Sequence, residues 1–182
     1  MDGLPPIRLL IALDDGRDRA VNGELLIARI APAYYLFKDH PAEVVLATPK
    51  GGYPALSAPL HHPLHQGLIA QRFLSDRNAR DDLAETLGID QIVIDDFDAA
   101  FCIGISTDLH PSESHGFMPT VRSFLKSGKP VAIVTGGMST LSLESTMNGL
   151  LVVGDNAESS LLAAHALLKV AVARREIVSR PA

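Results

Sequence analysis

The sequence predicts an α/β fold, a parallel sheet with helices on both faces, and three observations predict it. Short apolar runs rich in β-branched and small residues recur at 7–13, 43–48, 99–103, 131–134 and 150–153. They are too short for stable helices, and their lack of apolar/polar alternation fits strands buried on both faces. Between them lie longer stretches with helical spacing, and that alternation of strand and helix signals is the pattern of a parallel α/β sheet. Most runs end on turn chemistry: Asp14-Asp15-Gly16, Pro49-Lys50-Gly51-Gly52, Gly104 and Thr135-Gly136-Gly137. In such folds the ligand sits beyond the carboxyl ends of the strands. These turns therefore mark the edge where a site belongs.

Each element has its own warrant. Residues 7–13 (IRLLIAL) form an apolar run stopped by Asp14-Asp15-Gly16. Residues 24–40 place Leu26, Ile27, Ile30, Tyr34 and Phe37 at helical spacing, with Pro32 inside as a kink or as the true first turn. Residues 43–48 (EVVLAT) are the second strand, and 53–67, rich in proline and histidine without a period, an irregular surface loop. Ala79, Leu83 and Leu87 step by four through a helix at 76–87, stopped by Gly88. The third strand, 99–103 (AAFCI), precedes a polar loop at 106–116 and an amphipathic helix at 117–127. The fourth strand, 131–134, then runs into Thr135-Gly136-Gly137 and a candidate helix, the layout of a nucleophile elbow with Thr135 at its apex. The last strand, 150–153, feeds a helix at 157–174 that is apolar on most faces, and 175–182 reads as a frayed tail.

Composition bounds the rest. A chain of 182 residues, 47% of them hydrophobic, is the size of one domain spanning 1–182 with a real core. Net charge is −5 with both signs interspersed, which gives no footprint for nucleic acid and favours a small ligand as partner. The single cysteine, Cys102, excludes an intrachain disulfide. No signal-peptide core and no membrane-length apolar stretch is present, so the expectation is a cytoplasmic protein without membrane association.

Residues 32–52 (PAYYLFKDHPAEVVLATPKGG), 72–104, 128–137 and 153–168 (VGDNAESSLLAAHALL) resemble, in order, the ThiJ/PfpI superfamily in its glyoxalase III and chaperone-like branch. The resemblance implies a flavodoxin-like sandwich and a chemistry built on an elbow cysteine, a histidine beside it, and a glutamate four residues before a proline of the first helix. Such a setting stabilises a reactive thiolate. In this chain Thr135 stands in the cysteine's place, Gly136 in the histidine's, and Ala28 in the glutamate's. The family's paired glycines become Gly104-Ile105 and its next histidine Ser106. The segment between elbow and last strand, 138–150, is also shorter than the family's, which would leave Met138, Leu141 and Leu143 uncovered and points to a homodimer.

The candidate site follows from these positions. Thr135 lacks an adjacent base and fits a structural turn better than a nucleophile, and Cys102, inside the third strand, reads as a small buried hydrophobe. His110, Glu113 and His115 are expected on the loop after the third strand, and histidine is in general the side chain suited to moving protons near neutral pH. Asp14 and Asp15, closing the first strand, complete the expected proton-transfer set. Gly104, Ser106, Thr135, Gly136 and Gly137 are expected to bind substrate, the Gly136-Gly137 turn offering N–H groups to an oxyanion. His61, His62 and His65 match no fixed metal geometry, so no metal or other cofactor is expected. The function expected is a ThiJ/PfpI-like protein without the cysteine nucleophile, binding or transforming a small carbonyl or carboxylate metabolite by acid–base chemistry. As an enzyme it would be a cysteine-independent lyase, hydratase or isomerase. The alternatives are a catalytically inactive structural or regulatory partner and, less favoured, an intact glyoxalase III or protein deglycase.

Overall fold

In the computed structural model, which describes residues 5–13, 23–54, 67–105, 117–135, 151–154 and 157–178, all five expected apolar runs are strands. They are β1 (Ile7–Leu13), β2 (Ala42–Thr48), β4 (Ala99–Ile105), β5 (Val131–Thr135) and β6 (Leu151–Gly154), with a two-residue β3 (Leu87–Gly88) between β2 and β4 in the chain. The helices are α1 (Gly23–Lys38), α2 (Leu68–Ser75), α3 (Arg77–Ala84), α4 (Met118–Lys126) and α5 (Ala157–Val178). The strands stand in the order β3-β2-β1-β4-β5-β6, and every pairing is parallel. With short β3 set aside, the strands stand second, first, third, fourth, fifth by chain order, the flavodoxin-like arrangement.

The alternation of side chains sorts the core into two layers. Leu9, Ile11, Leu13, Phe101, Ile103, Ala132 and Val134 face one side, covered by α1, α2, α3 and α5. Leu10, Ala12, Ala100, Cys102, Val131 and Ile133 face the other, covered by Phe117, Val121, Phe124 and Leu125 of α4 and its N-cap. Both layers are closed, which explains why the strands read as unbroken apolar runs. Pro32 lies well inside α1 rather than in its first turn. Its missing N–H removes one helix bond, a loss of ~3 kcal/mol in an isolated helix. Burial of Leu26, Ile27, Ile30, Tyr34 and Phe37, all at most 2% exposed, outweighs it.

Three boundaries differ from the sequence reading. The helix expected at 76–87 runs only from Arg77 to Ala84, because Asp76 caps it and Leu87 leaves it to pair with Ala47. α2 was hidden in sequence: its first residues, Leu68 and Ile69, are exposed, and only Ala70 and Phe73 are buried. The tail expected to fray from residue 175 instead continues α5 to Val178, with Arg175 Nη1 at 3.8 Å from the Asp98 carboxylate.

Asp76 joins α3 to α1. One carboxylate oxygen accepts the Asn78 and Ala79 N–H groups, at 3.0 and 3.5 Å, and the other accepts the Tyr35 hydroxyl at 2.9 Å. The Tyr35 hydrogen bond, above all, holds the Asp76 carboxyl below the usual carboxylate range. Burial and the same bond push the Tyr35 phenol up to about 12. Asp76→Ala is therefore expected to lower unfolding stability by about 1–2 kcal/mol at neutral pH, from the lost cap and the orphaned hydroxyl. A depressed carboxylate pKa stabilises above the unfolded value of ~3.9 and loses that contribution as pH falls through the folded one. The gap between the urea midpoints of the two proteins should thus narrow as pH falls through the folded value; a gap of constant size down into acid refutes this account. Tyr35 acts in the opposite sense, its contribution present below the unfolded value of ~10 and lost as pH rises toward 12.

Candidate functional site

Parallel strands direct all their carboxyl ends to one edge, and the connections part there. From β1 the chain crosses to β2 on one side; from β4 it crosses to β5 on the other. The switch point, where a doubly wound sheet opens a crevice, is therefore at the ends of the neighbours β1 and β4. Leu13 pairs with Ile103, and Ile105 pairs with Thr135, so Leu13, Ile105 and Thr135 end three consecutive strands. At a strand spacing of ~4.8 Å, the ends of β1 and β5 are about 10 Å apart. A small metabolite spans that distance.

Gly104 shapes the middle of this edge. The β4–β5 register steps from Ile103 opposite Val134 to Ile105 opposite Thr135, skipping Gly104, which has φ +83°. That is a β-bulge in a backbone conformation that a residue with a Cβ reaches only with strain. No described non-glycine residue has a positive φ, so Thr135 closes β5 as an ordinary paired strand residue. The turn expected to follow it lies outside the described residues.

One strand away, the end of β2 makes a rigid rim. Gly51 and Gly52 both have φ +76°, and a Cβ on Gly51 would lie 2.8 Å from the Gly88 nitrogen. The Thr86 hydroxyl donates to the Gly52 carbonyl, and the Gly52 N–H donates back to the Thr86 carbonyl at 2.8 Å. The buried hydroxyls of Thr48 and Thr86 are 3.3 Å apart. These polar groups are mutually satisfied, which makes them a wall rather than reactive groups.

Of the expected site residues, the structure places Gly104 and the backbone of Thr135 at this edge. Asp14, Asp15, Ser106, His110, Glu113, His115, Gly136 and Gly137 lie outside the described residues, as do His61, His62 and His65. Chain connectivity alone relates them to the edge: Asp14 follows Leu13, Ser106 follows Ile105, and Gly136 follows Thr135. Cys102 is 2% exposed, in the α4 layer, and burial pushes its thiol up to about 12. It is a core residue, as its sequence context indicates.

Arg29 escaped the sequence reading. It is the one charged residue between Glu24 and Lys38 in α1, which was the available signal. Its Nε is buried without a hydrogen-bond partner, the only such side-chain atom among the described residues, and burial lowers its pKa.

No protein-family model matches this sequence, and no curated protein matches it either. Solved structures do match its backbone. Rapid Encystment Protein 24 KDa of Francisella tularensis aligns with TM-score 0.61 at 10% identity, over 91% of this chain and 99% of that one. Glyoxalase III of Candida albicans aligns with TM-score 0.61 at 11% identity, over 90% and 96%. At such identities the likeness is one of fold alone. No helix among the described residues is long and apolar enough to cross a membrane.

Proposed function

We propose that this chain binds or transforms a small carbonyl or carboxylate compound at the carboxyl edge of its sheet, by acid–base rather than thiolate chemistry. The observation that carries the reading is the placement of sulfur. The chain's one cysteine, Cys102, is sealed in the core on β4, whereas β5 ends at the switch-point edge in Thr135. A buried thiol with a raised pKa is neither nucleophile nor base near neutral pH. Proton transfer then falls to His110 and His115, with Glu113 and Asp14 or Asp15 orienting or exchanging charge with them. Gly136 and Gly137 are assigned the developing oxyanion, with Gly104, Ser106 and Thr135 as the other substrate-binding residues. This assigns a lyase, hydratase or isomerase, in a cytoplasmic homodimer.

Thermal-shift screening of small oxo- and hydroxy-acids is the first test. With a ligand found, His110→Ala and His115→Ala should each keep the parent's circular dichroism and weaken binding or turnover at least tenfold, about 1.4 kcal/mol. Two variants that bind and react like the parent would put the catalytically inactive partner role in place of this reading.

A further inference from the structure

We propose that α2 and α3 form one hinged flap, latched to α1 by two tyrosine–aspartate bonds, and that its opening unlocks the Gly52–Thr86 rim of the sheet. No residue assigned to the proposed function takes part in it. Asp76 makes the two helices one body. It is the only residue between them: its N–H donates to the Arg72 carbonyl and ends α2, while its carboxylate accepts the Asn78 and Ala79 N–H groups and starts α3. A swivel at that joint would break all three bonds.

The body is held from one side. α4 and α5 lie on the strands β4, β5 and β6, whereas α2 packs chiefly on α1, and α3 on α2 and β2. Each helix buries two side chains, Ala70 and Phe73 in α2, Ala79 and Leu83 in α3, and turns Arg72, Arg77, Arg80 and Asp81 to solvent. The polar attachment is concentrated on one turn of α1. Tyr34 donates to Asp82 at 2.7 Å, Tyr35 donates to Asp76 at 2.9 Å, and Lys38 lies 3.1 Å from Asp82. Between the two latches the Phe73 ring meets both tyrosine rings edge to face, with centroids 5.2 and 6.3 Å apart. On opening, water replaces the partners of phenol and carboxylate alike, and a segment with so few buried apolar side chains opens below the free energy of global unfolding.

The far end of the flap decides what opening does. The Glu85 N–H donates to the Asp81 carbonyl at 3.0 Å, so the helical body reaches the residue before Thr86. Thr86 is tied twice to Gly52, its hydroxyl donating to the Gly52 carbonyl and its carbonyl accepting the Gly52 N–H at 2.8 Å. Beyond it, Leu87 and Gly88 are pinned to Ala47 and Thr48 of β2. The hinge therefore falls at Thr86, and a swing of α3 breaks the Thr86–Gly52 pair before it reaches the sheet.

Native-state hydrogen exchange, followed by NMR at single amides, tests this. In the parent, the bonded amides of α2 and α3 and the Gly52 amide should share one opening free energy and be protected at least tenfold less than amides of β1, β4 and β5. Tyr35→Phe keeps the ring and removes one latch, and should speed that set about tenfold. Ile133→Val lies in the α4 layer, on the other face of the sheet, and should speed the β4 and β5 amides while leaving the set unchanged. If Ile133→Val speeds α2 and α3 as much as the strands, they open only by global unfolding and there is no flap. Separate opening free energies for α2 and α3, a Gly52 amide that follows the strands, or Tyr35→Phe exchange equal to the parent's also overturns the inference.

Discussion

Methylglyoxal turnover by this protein should be indistinguishable from the uncatalysed background, and Cys102→Ser should leave it unchanged. The glyoxalase chemistry that the sequence resemblance implies requires a thiolate at the end of β5. The resemblance puts that position at Thr135, and the chain's one cysteine is Cys102, one strand over and 2% exposed. With its thiol pushed up to about 12 by burial, Cys102 is a neutral thiol at pH 7. It is sealed beneath α4, among Leu10, Ala12, Ile133 and Phe124. Enzymes accelerate reactions by ~10⁶-fold or more, so a chain that lacks the nucleophile, as the proposed function has it, should differ by a very large effect rather than a small factor. The same burial should keep Cys102 silent toward a disulfide reagent such as dithionitrobenzoate at pH 8 until urea unfolds the chain. A methylglyoxal rate that disappears in Cys102→Ser would overturn both the placement of the site and the acid–base assignment.

How much of this was legible in sequence depended on whether one local force decided the outcome. The strands were legible because residues such as Val131 to Val134 are buried on both faces, and nothing but a sheet interior accepts such a run. Gly104 was legible as the end of a strand, but its bulge was not, since the register shift depends on its pairing with β5. The helix ends were set by partners distant in sequence. Leu87 continues the four-residue period of Ala79 and Leu83, yet Ala47 and Thr48 of β2 draw it and Gly88 into the sheet. Arg175 reads as tail until Asp98, far along the chain, is seen beside it. Arg29 had a weak local signal, one charge in an apolar helix, and only its buried, unpartnered Nε distinguishes this half-buried side chain from an ordinary solvated arginine. The carboxyl edge of the sheet, where the proposed site lies, was thus readable from strand–turn punctuation, whereas the polar contacts among the described residues were not.

Phe101→Ala is expected to lower the unfolding free energy by about 3–5 kcal/mol, the usual range for removing a fully buried phenylalanine. Phe101 is 0% exposed in the middle of β4, itself between β1 and β5. Its ring meets Phe37 of α1 edge to face, with centroids 5.8 Å apart and planes at 82°, so the truncation opens a cavity between sheet and helix. The edge-to-face contact adds roughly 0.5–1.5 kcal/mol beyond burial, which favours the upper part of the range. Typical domains are stable by ~5–15 kcal/mol, so the variant should remain folded but unfold at a clearly lower urea concentration. The chain has no tryptophan, so far-UV circular dichroism is the suitable signal. Tyr53→Ala is the internal comparison: at 54% exposure that ring packs little, and the change should stay within about 0.5 kcal/mol. A Phe101→Ala loss below ~1 kcal/mol would mean that the α1 layer collapses freely onto β4, contrary to close packing. In that case Gly104, three residues further along the same strand, would have no rigid support for its bulge, and the site edge would not be held by the core as described.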